Sequence, residues 1–251
     1  MKRISNTIAA FLAFLPIGNP LTISTNVALT STAMFMSIPK AHAGSASSHF
    51  RKAEKQIENE DYKKAIINLN KAIEKDPLYS DAYSSRGFAK YMTDDYKGAI
   101  NDATKAIEID PQDGYNYTLR ADAKYMAEDY RGSISDANQA IEIDPEDGLN
   151  YTLRADAKYM TEDYKGSIND ATKAIQLDSE DGYAYSIRAD AKMEINDYKG
   201  AIIDSTMAIG IDPEDSGAYV TRGNSKEFLN DLNSACSDWR KASQFGDEDA
   251  K

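Results

Sequence analysis

The side chains best equipped for chemistry in this chain stand in columns 34 residues apart. Arg86, Arg120, Arg154, Arg188 and Arg222 form one column, and Asp102, Asp136, Asp170, Asp204 and Asp238 form a second. A guanidinium can clamp an anionic ligand, or it can grip a carboxylate of its own chain through two parallel N–H donors. The matched change to Lys52 and Asn68 at the head of both columns favours the second use. Two positions that change together are expected to touch, here as an ion pair that sets the register of two antiparallel helices.

Other candidate chemistry is sparse. Asp110–Gly114 and Asp144–Gly148 cluster carboxylates as calcium loops do, but they lack the alternating ligands and closing Glu of an EF-hand, so they read as helix stops. The two histidines, His42 and His49, stand far from the lone Cys236. That leaves no Cys–His pair for nucleophilic catalysis and no spacing for zinc. One cysteine can close no internal disulfide, and Cys236 is expected as a small buried residue, with a free reactive thiol as the alternative. No catalytic constellation is present, and neither an enzyme activity nor a cofactor is expected.

The elements that position these columns follow from the period itself. Asp76-Pro77, Asp110-Pro111, Asp144-Pro145, Asp178-Ser179 and Asp212-Pro213 recur every 34 residues. A period of this length marks stacked supersecondary units that share one continuous core. With the Pro of Asp-Pro at position 32, the units run 46–79, 80–113, 114–147, 148–181, 182–215 and 216 to about 247. Units three and four are near copies, since Tyr117–Met126 recurs unchanged as Tyr151–Met160.

Each unit reads as two helices. In the third, the first is expected over Tyr115–Ala127, ending at Glu128-Asp129. The second is expected over about Gly132–Ile143, with Ile134, Ala137, Ala140, Ile141 and Ile143 on one face. Asp144-Pro145 stops it, because Pro lacks an N–H donor and disfavours helix at the residue before it. Asp147 is placed to cap the following helix.

The first 43 residues have another character. They hold no Asp or Glu and no charge between Arg3 and Lys40, and they end Ala41-His42-Ala43. A basic start, the apolar run Ile8–Pro16 and a small-x-small site read as an export signal cut after Ala43. Pro16, Gly18, Asn19 and Pro20 interrupt it, so an unbroken span of about 20 apolar residues is missing; an uncleaved membrane anchor is the alternative. Cleavage removes Lys2, Arg3 and Lys40 and no acid, which takes the formal charge from −12 to −15. So acidic a chain is repelled by phosphate backbones, and nucleic acid is excluded as a partner.

The units resemble tetratricopeptide repeats over residues 46 to about 245. An aromatic stands at position 4 (Tyr83, Tyr117, Tyr151, Tyr185, Tyr219) and a small residue at position 8 (Gly87, Ala121, Ala155, Ala189, Gly223). Asp-Tyr follows at 16–17, small residues at 20 and 27, and Pro at 32. Position 11, usually aromatic in the family, is Lys here: Lys90, Lys124, Lys158, Lys192 and Lys226. The segment Ala235–Ala242 and the acidic tail 248–251 resemble the polar caps of small exported cyanobacterial repeat proteins.

The resemblance implies an all-α fold, a right-handed superhelical array of antiparallel helix pairs. It also implies a concave peptide-binding groove lined from positions 2, 5, 9, 12 and 13 of the first helices. Mapped onto this sequence, unit two supplies Ser84, Phe88, Tyr91 and Met92. Unit three supplies Tyr115, Thr118, Asp122, Tyr125 and Met126, and unit four Leu149, Thr152, Asp156, Tyr159 and Met160. Unit five supplies Tyr183, Ser186, Asp190, Met193 and Glu194. Two roles stay open for the tyrosines, packing between neighbouring first helices or contact with a ligand. Two partners stay open for Asp122, Asp156 and Asp190: Lys or Arg of a ligand, or Lys124, Lys158 and Lys192 one turn away. Family members that clamp a terminal carboxylate use Lys and Asn at positions 5 and 9, where this chain has Thr or Ser and Asp, so that mode is excluded.

The expectation is a non-enzymatic scaffold or assembly factor for another protein or peptide, one with basic or aromatic residues suiting the groove. It would act outside the cytoplasm, in the periplasm, a thylakoid lumen or the extracellular space. The alternative is a complex-assembly subunit tethered at a membrane surface by a retained N-terminal segment.

Overall fold

The computed structural model describes residues 40–246, with side-chain surroundings from Gly44 onward. The segment expected as an export signal, apart from the helical backbone of its last four residues, and the acidic tail lie outside the described residues. Twelve helices follow one another there with no strand between them. They are α1 (Lys40–Glu58), α2 (Tyr62–Lys75), α3 (Ser80–Tyr91), α4 (Tyr96–Ile109), α5 (Gly114–Met126) and α6 (Tyr130–Ile143). Then come α7 (Gly148–Met160), α8 (Tyr164–Leu177), α9 (Gly182–Glu194), α10 (Tyr198–Ile211), α11 (Ser216–Phe228) and α12 (Leu232–Gln244). No helix among the described residues is long and apolar enough to cross a membrane.

The turn inside each pair explains where the second helix starts. Position 15 adopts a left-handed backbone in every unit, at Glu60, Asp94, Glu128, Glu162, Asn196 and Asn230, with φ between 58° and 65°. This reverses the chain and closes the first helix, as when Asp129 N–H donates to Lys124 C=O at 2.8 Å. The next residue is an Asp, which caps the second helix in units two to six: the Asp129 side chain accepts from the Gly132 N–H at 3.0 Å. The second helix of unit three therefore begins at Tyr130, two residues before the position expected from its apolar stripe. Asp147 caps α7 as expected, accepting from the Leu149 N–H at 3.0 Å.

Small side chains let the helices approach. Ala121, Ala137, Ala140, Ala155, Ala171 and Ala174 have no exposed surface. In unit six the fit is kept by exchange, because bulky Trp239 lies against Gly223, where an added Cβ would come within 2.6 Å of the indole nitrogen. Each helix packs on its partner and on the next pair. Successive first helices also touch one another, from α1 to α11. Successive second helices make no comparable approach, so the array closes on the side of the first helices and opens on the other.

The Arg–Asp columns meet as expected. Arg120 donates to Asp136 through Nε at 2.8 Å and Nη2 at 2.7 Å, and the same fork joins Arg86–Asp102, Arg154–Asp170, Arg188–Asp204 and Arg222–Asp238. Burial works to raise the Asp238 pKa, but the hydrogen bonds and charges of Arg222 and Lys226 outweigh it and hold the group below the usual carboxylate range. Each Arg also reaches back to the previous unit's second helix, as Arg120 does to Thr104 and Arg154 to Asn138. The Tyr at position 4 lies under the guanidinium, with Arg120 5.6 Å from the Tyr117 ring centre.

Cys236 is exposed, against expectation. Its position carries half-buried Ile100, Ile134, Ile168 and Ile202 in earlier units. No further pair follows α12 among the described residues to cover it.

Candidate functional site

The inner face is built from α3, α5, α7 and α9, and the residues mapped to it divide by what they touch. Position 5 joins one unit to the next. Ser84 Oγ donates to Asn116 Oδ1 at 2.5 Å and Thr118 Oγ1 to Asn150 Oδ1 at 2.6 Å. Each Asn in turn donates to the Asp capping its own helix, Asn116 to Asp113 and Asn150 to Asp147. Where position 3 is Ala184 or Ala218 the relay shortens. Thr152 then donates directly to Asp181, and Ser186 to Asp215, both at 2.6 Å. Ser84, Thr118, Thr152 and Ser186 are all buried. They belong to the joints between units, a role that the column alone did not reveal.

Position 9 lies at the floor. Phe88 is buried and meets the Tyr62 ring edge-on, with centres 6.1 Å apart. Asp156 accepts from the Tyr183 hydroxyl of the next first helix, and Asp190 accepts from Thr221 Oγ1. Asp122 is 2% exposed, and neither carboxylate oxygen has a hydrogen-bond partner among the described residues. Burial pushes its pKa up to about 7; the nearby Tyr91 hydroxyl opposes this without completing a bond of normal geometry, and the charge of Asp156 adds to it. The alternative partners Lys124, Lys158 and Lys192 are engaged elsewhere. Their ammonium groups lie 2.8, 2.7 and 2.7 Å from Asp136, Asp170 and Asp204, which makes each Arg–Asp pair a triad.

Positions 2, 12 and 13 hold what open surface the face has, and they are covered to different extents. Tyr91 is buried, and it meets Tyr96 edge-on, as Tyr125 meets Tyr130. Tyr159 lies tilted against Tyr164, with ring centres 5.6 Å apart. The tyrosines of position 12 thus brace the second helix of their own unit. Tyr125, Tyr159 and Tyr183 stay half-buried, as do Met92, Met126 and Leu149, while Tyr115 is 37% exposed and Met160 42%. Among the described residues no group of His, Cys, Asp and Glu could hold a metal ion.

One exposed apolar face was not anticipated. On the outer side of α10, Ile203 and Met207 are exposed. The equivalent residues of units two to four are Asn101 and Lys105, Ser135 and Gln139, and Asn169 and Lys173, while unit one has exposed Ile67 beside Lys71. Comparing the columns of the second helices would have found it.

Comparison with known proteins bears on the fold alone. No family model and no curated protein matches the sequence. Solved structures do match. PilF of Pseudomonas aeruginosa aligns with a TM-score of 0.71 at 14% identity, covering 83% of this chain and 95% of that one. MamA of Desulfovibrio magneticus RS-1, from residue 41 to its end, aligns with a TM-score of 0.63 at 16% identity, over 68% of this chain and 97% of that one. YrrB, described as a TPR protein with an unusual peptide-binding site, aligns with a TM-score of 0.59 at 17% identity, over 72% of this chain and 94% of that one. The fold is that of a tetratricopeptide-repeat array.

Proposed function

We propose that this chain is a non-enzymatic scaffold that holds a segment of another protein along the face of α3, α5, α7 and α9. The observation that carries this reading is the division of labour on that face. Hydroxyls at position 5 are spent on joints between units, while Tyr115, Met126, Leu149 and Met160 keep open surface in a row across α5 and α7. Tyrosine and methionine give broad contact at low ordering cost, which suits an extended or helical peptide. The net charge of −12 favours a segment with basic residues and disfavours nucleic acid. The peptide-binding site ascribed to YrrB, a neighbour in fold, is consistent with this use.

The proposed place of action is outside the cytoplasm, after cleavage at Ala43. A membrane-tethered assembly subunit is the second reading, favoured by the uncharged stretch between Arg3 and Lys40. Intact mass of the native protein separates the two, since a chain starting at Gly44 has no tether. The groove is tested by crosslinking in the native compartment, identifying the captured protein, and measuring its affinity for a double variant, Met126→Glu with Met160→Glu. The expected result is a loss of tenfold or more, and unchanged affinity overturns the assignment.

A further inference from the structure

The three carboxylates at position 9 have different neighbours. From the helix that follows, Asp156 receives the hydroxyl of Tyr183 at position 2, and Asp190 that of Thr221 at position 6. The helix that follows Asp122 carries Leu149 and Leu153 at those two positions, and neither can donate. Leu153 is instead packed with Ala121 and Ala137 in an apolar cluster that Tyr125 borders. Asp122 is thus a buried acid to which the following helix brings no donor; the Tyr91 hydroxyl of α3 stands near it without completing a bond of normal geometry. An ionised carboxylate in that position costs several kcal/mol if nothing compensates it.

The groups that bear on it are few. Tyr91 faces it from α3, Tyr96 from α4, Asp156 from α7, and Tyr115 from α5 itself. The cations of α5 are turned away, because Arg120 and Lys124 both close on Asp136 of α6. The surroundings are therefore phenolic and acidic, with no positive charge supplied from within.

We propose that Asp122 is the anchor subsite of the groove, which takes one ammonium or guanidinium group of the bound segment and gives up its own proton as that group docks. This rests on the groove reading above. In docking the carboxyl O–H bond breaks, the proton leaves to solvent, and a carboxylate–cation pair takes the place of the neutral acid. The site then never holds an uncompensated charge. Near neutrality the acid and its anion are close in free energy, so the exchange needs little work there. The unit-three copy of position 9 differs from those in units four and five because the helix that follows brings its carboxylate no donor.

The test uses the full chain and n-butylammonium, a mimic of the lysine side chain, with the Asp122 carboxyl carbon followed by NMR through a pH titration. Sodium chloride at matched ionic strength and n-butanol are the controls. The expected result is a midpoint near neutrality in sodium that falls by about one unit or more in n-butylammonium. An equal midpoint in both salts, or a fall that n-butanol reproduces, overturns the proposal. A second variant guards against a purely structural effect. Leu149→Tyr places at Asp122 the donor that Tyr183 supplies to Asp156, and it should weaken the n-butylammonium response tenfold or more; an undiminished response overturns the proposal. Failure of the groove reading would look different. Asp122 would still answer n-butylammonium while Met126→Glu with Met160→Glu left the captured protein's affinity intact.

Discussion

The Thr152 hydroxyl on α7 donates at 2.6 Å to the Asp181 carboxylate, which caps α9 of the next unit through the Ala184 N–H. One bond thus ties a helix start in unit five to the middle of a helix in unit four. In a stacked array, stability is close to a sum of unit terms and nearest-neighbour joints, so a lost joint weakens the whole. Thr152→Val keeps the shape and removes the donor, and it should cost about 1–2 kcal/mol. Chemical denaturation measures this. Affinity for a captured partner should not change, which separates a joint residue from a groove contact.

The Arg–Asp–Lys triad predicts a larger effect. Asp136 holds Arg120 and Lys124 at 2.7 and 2.8 Å with its own side chain almost wholly covered. Asp136→Asn leaves two half-buried cations facing a neutral amide, and stability should fall by about 3 kcal/mol. Asp170→Asn in unit four, whose first helix nearly copies that of unit three, should cost the same within about 0.5 kcal/mol. A variant that melts no lower than the parent would contradict the role given to the pair.

These outcomes also mark how far the sequence could be read. The period, the two helices per unit and the Arg–Asp contact were legible because each leaves a signal within one column or between two. Unit one shows why: Lys52 and Asn68 depart together, and Asn68 now donates to Gln56 at 2.7 Å on its own unit's first helix. The role of position 5 was not legible, because its partner is Asn116 or Asn150 in some units and a capping Asp in others. That alternation depends on position 3 of the next unit, so it appears only once the stacking is known. Cys236 was misjudged because its column is only half-buried even in the earlier units, at Ile100, Ile134, Ile168 and Ile202.

Glycine at position 19 of the unit, in the first turn of the second helix, makes another prediction. A Cβ on Gly132 would stand 2.1 Å from Asp129 Oδ2, the side chain that caps α6. Gly132→Ala would ordinarily favour a helix, by roughly 1 kcal/mol. Here it forces the capping carboxylate aside, which costs about 1–2 kcal/mol, and the net effect should be a lower Tm. The double change Asp129→Ser with Gly132→Ala should recover part of the loss, because the shorter Ser can cap without reaching over the new methyl group. Thermal unfolding of the three variants checks the order.

The buried acid sets the pH dependence. Folding raises the Asp122 pKa from the ordinary Asp value to about 7, so between those limits the folded state binds a proton that the unfolded state has lost. Its protonated form is fully compatible with the fold below about pH 4. As pH rises towards 7 the unfolded chain ionises freely while the folded chain cannot, and stability falls. Above 7 the cost is complete, on the order of 4 kcal/mol for a shift of this size. Asp122→Asn mimics the neutral acid at every pH. It should match the parent near pH 4 and exceed it by a few kcal/mol at pH 8, with the two curves parting between those values. The triads act with the opposite sign at Asp238, whose pKa is lowered, so acid weakens that contact; the difference between parent and variant removes it, because both chains share it. Denaturant titrations of the two chains across this range check the argument. Parallel curves would mean that Asp122 is already charged and compensated inside the fold.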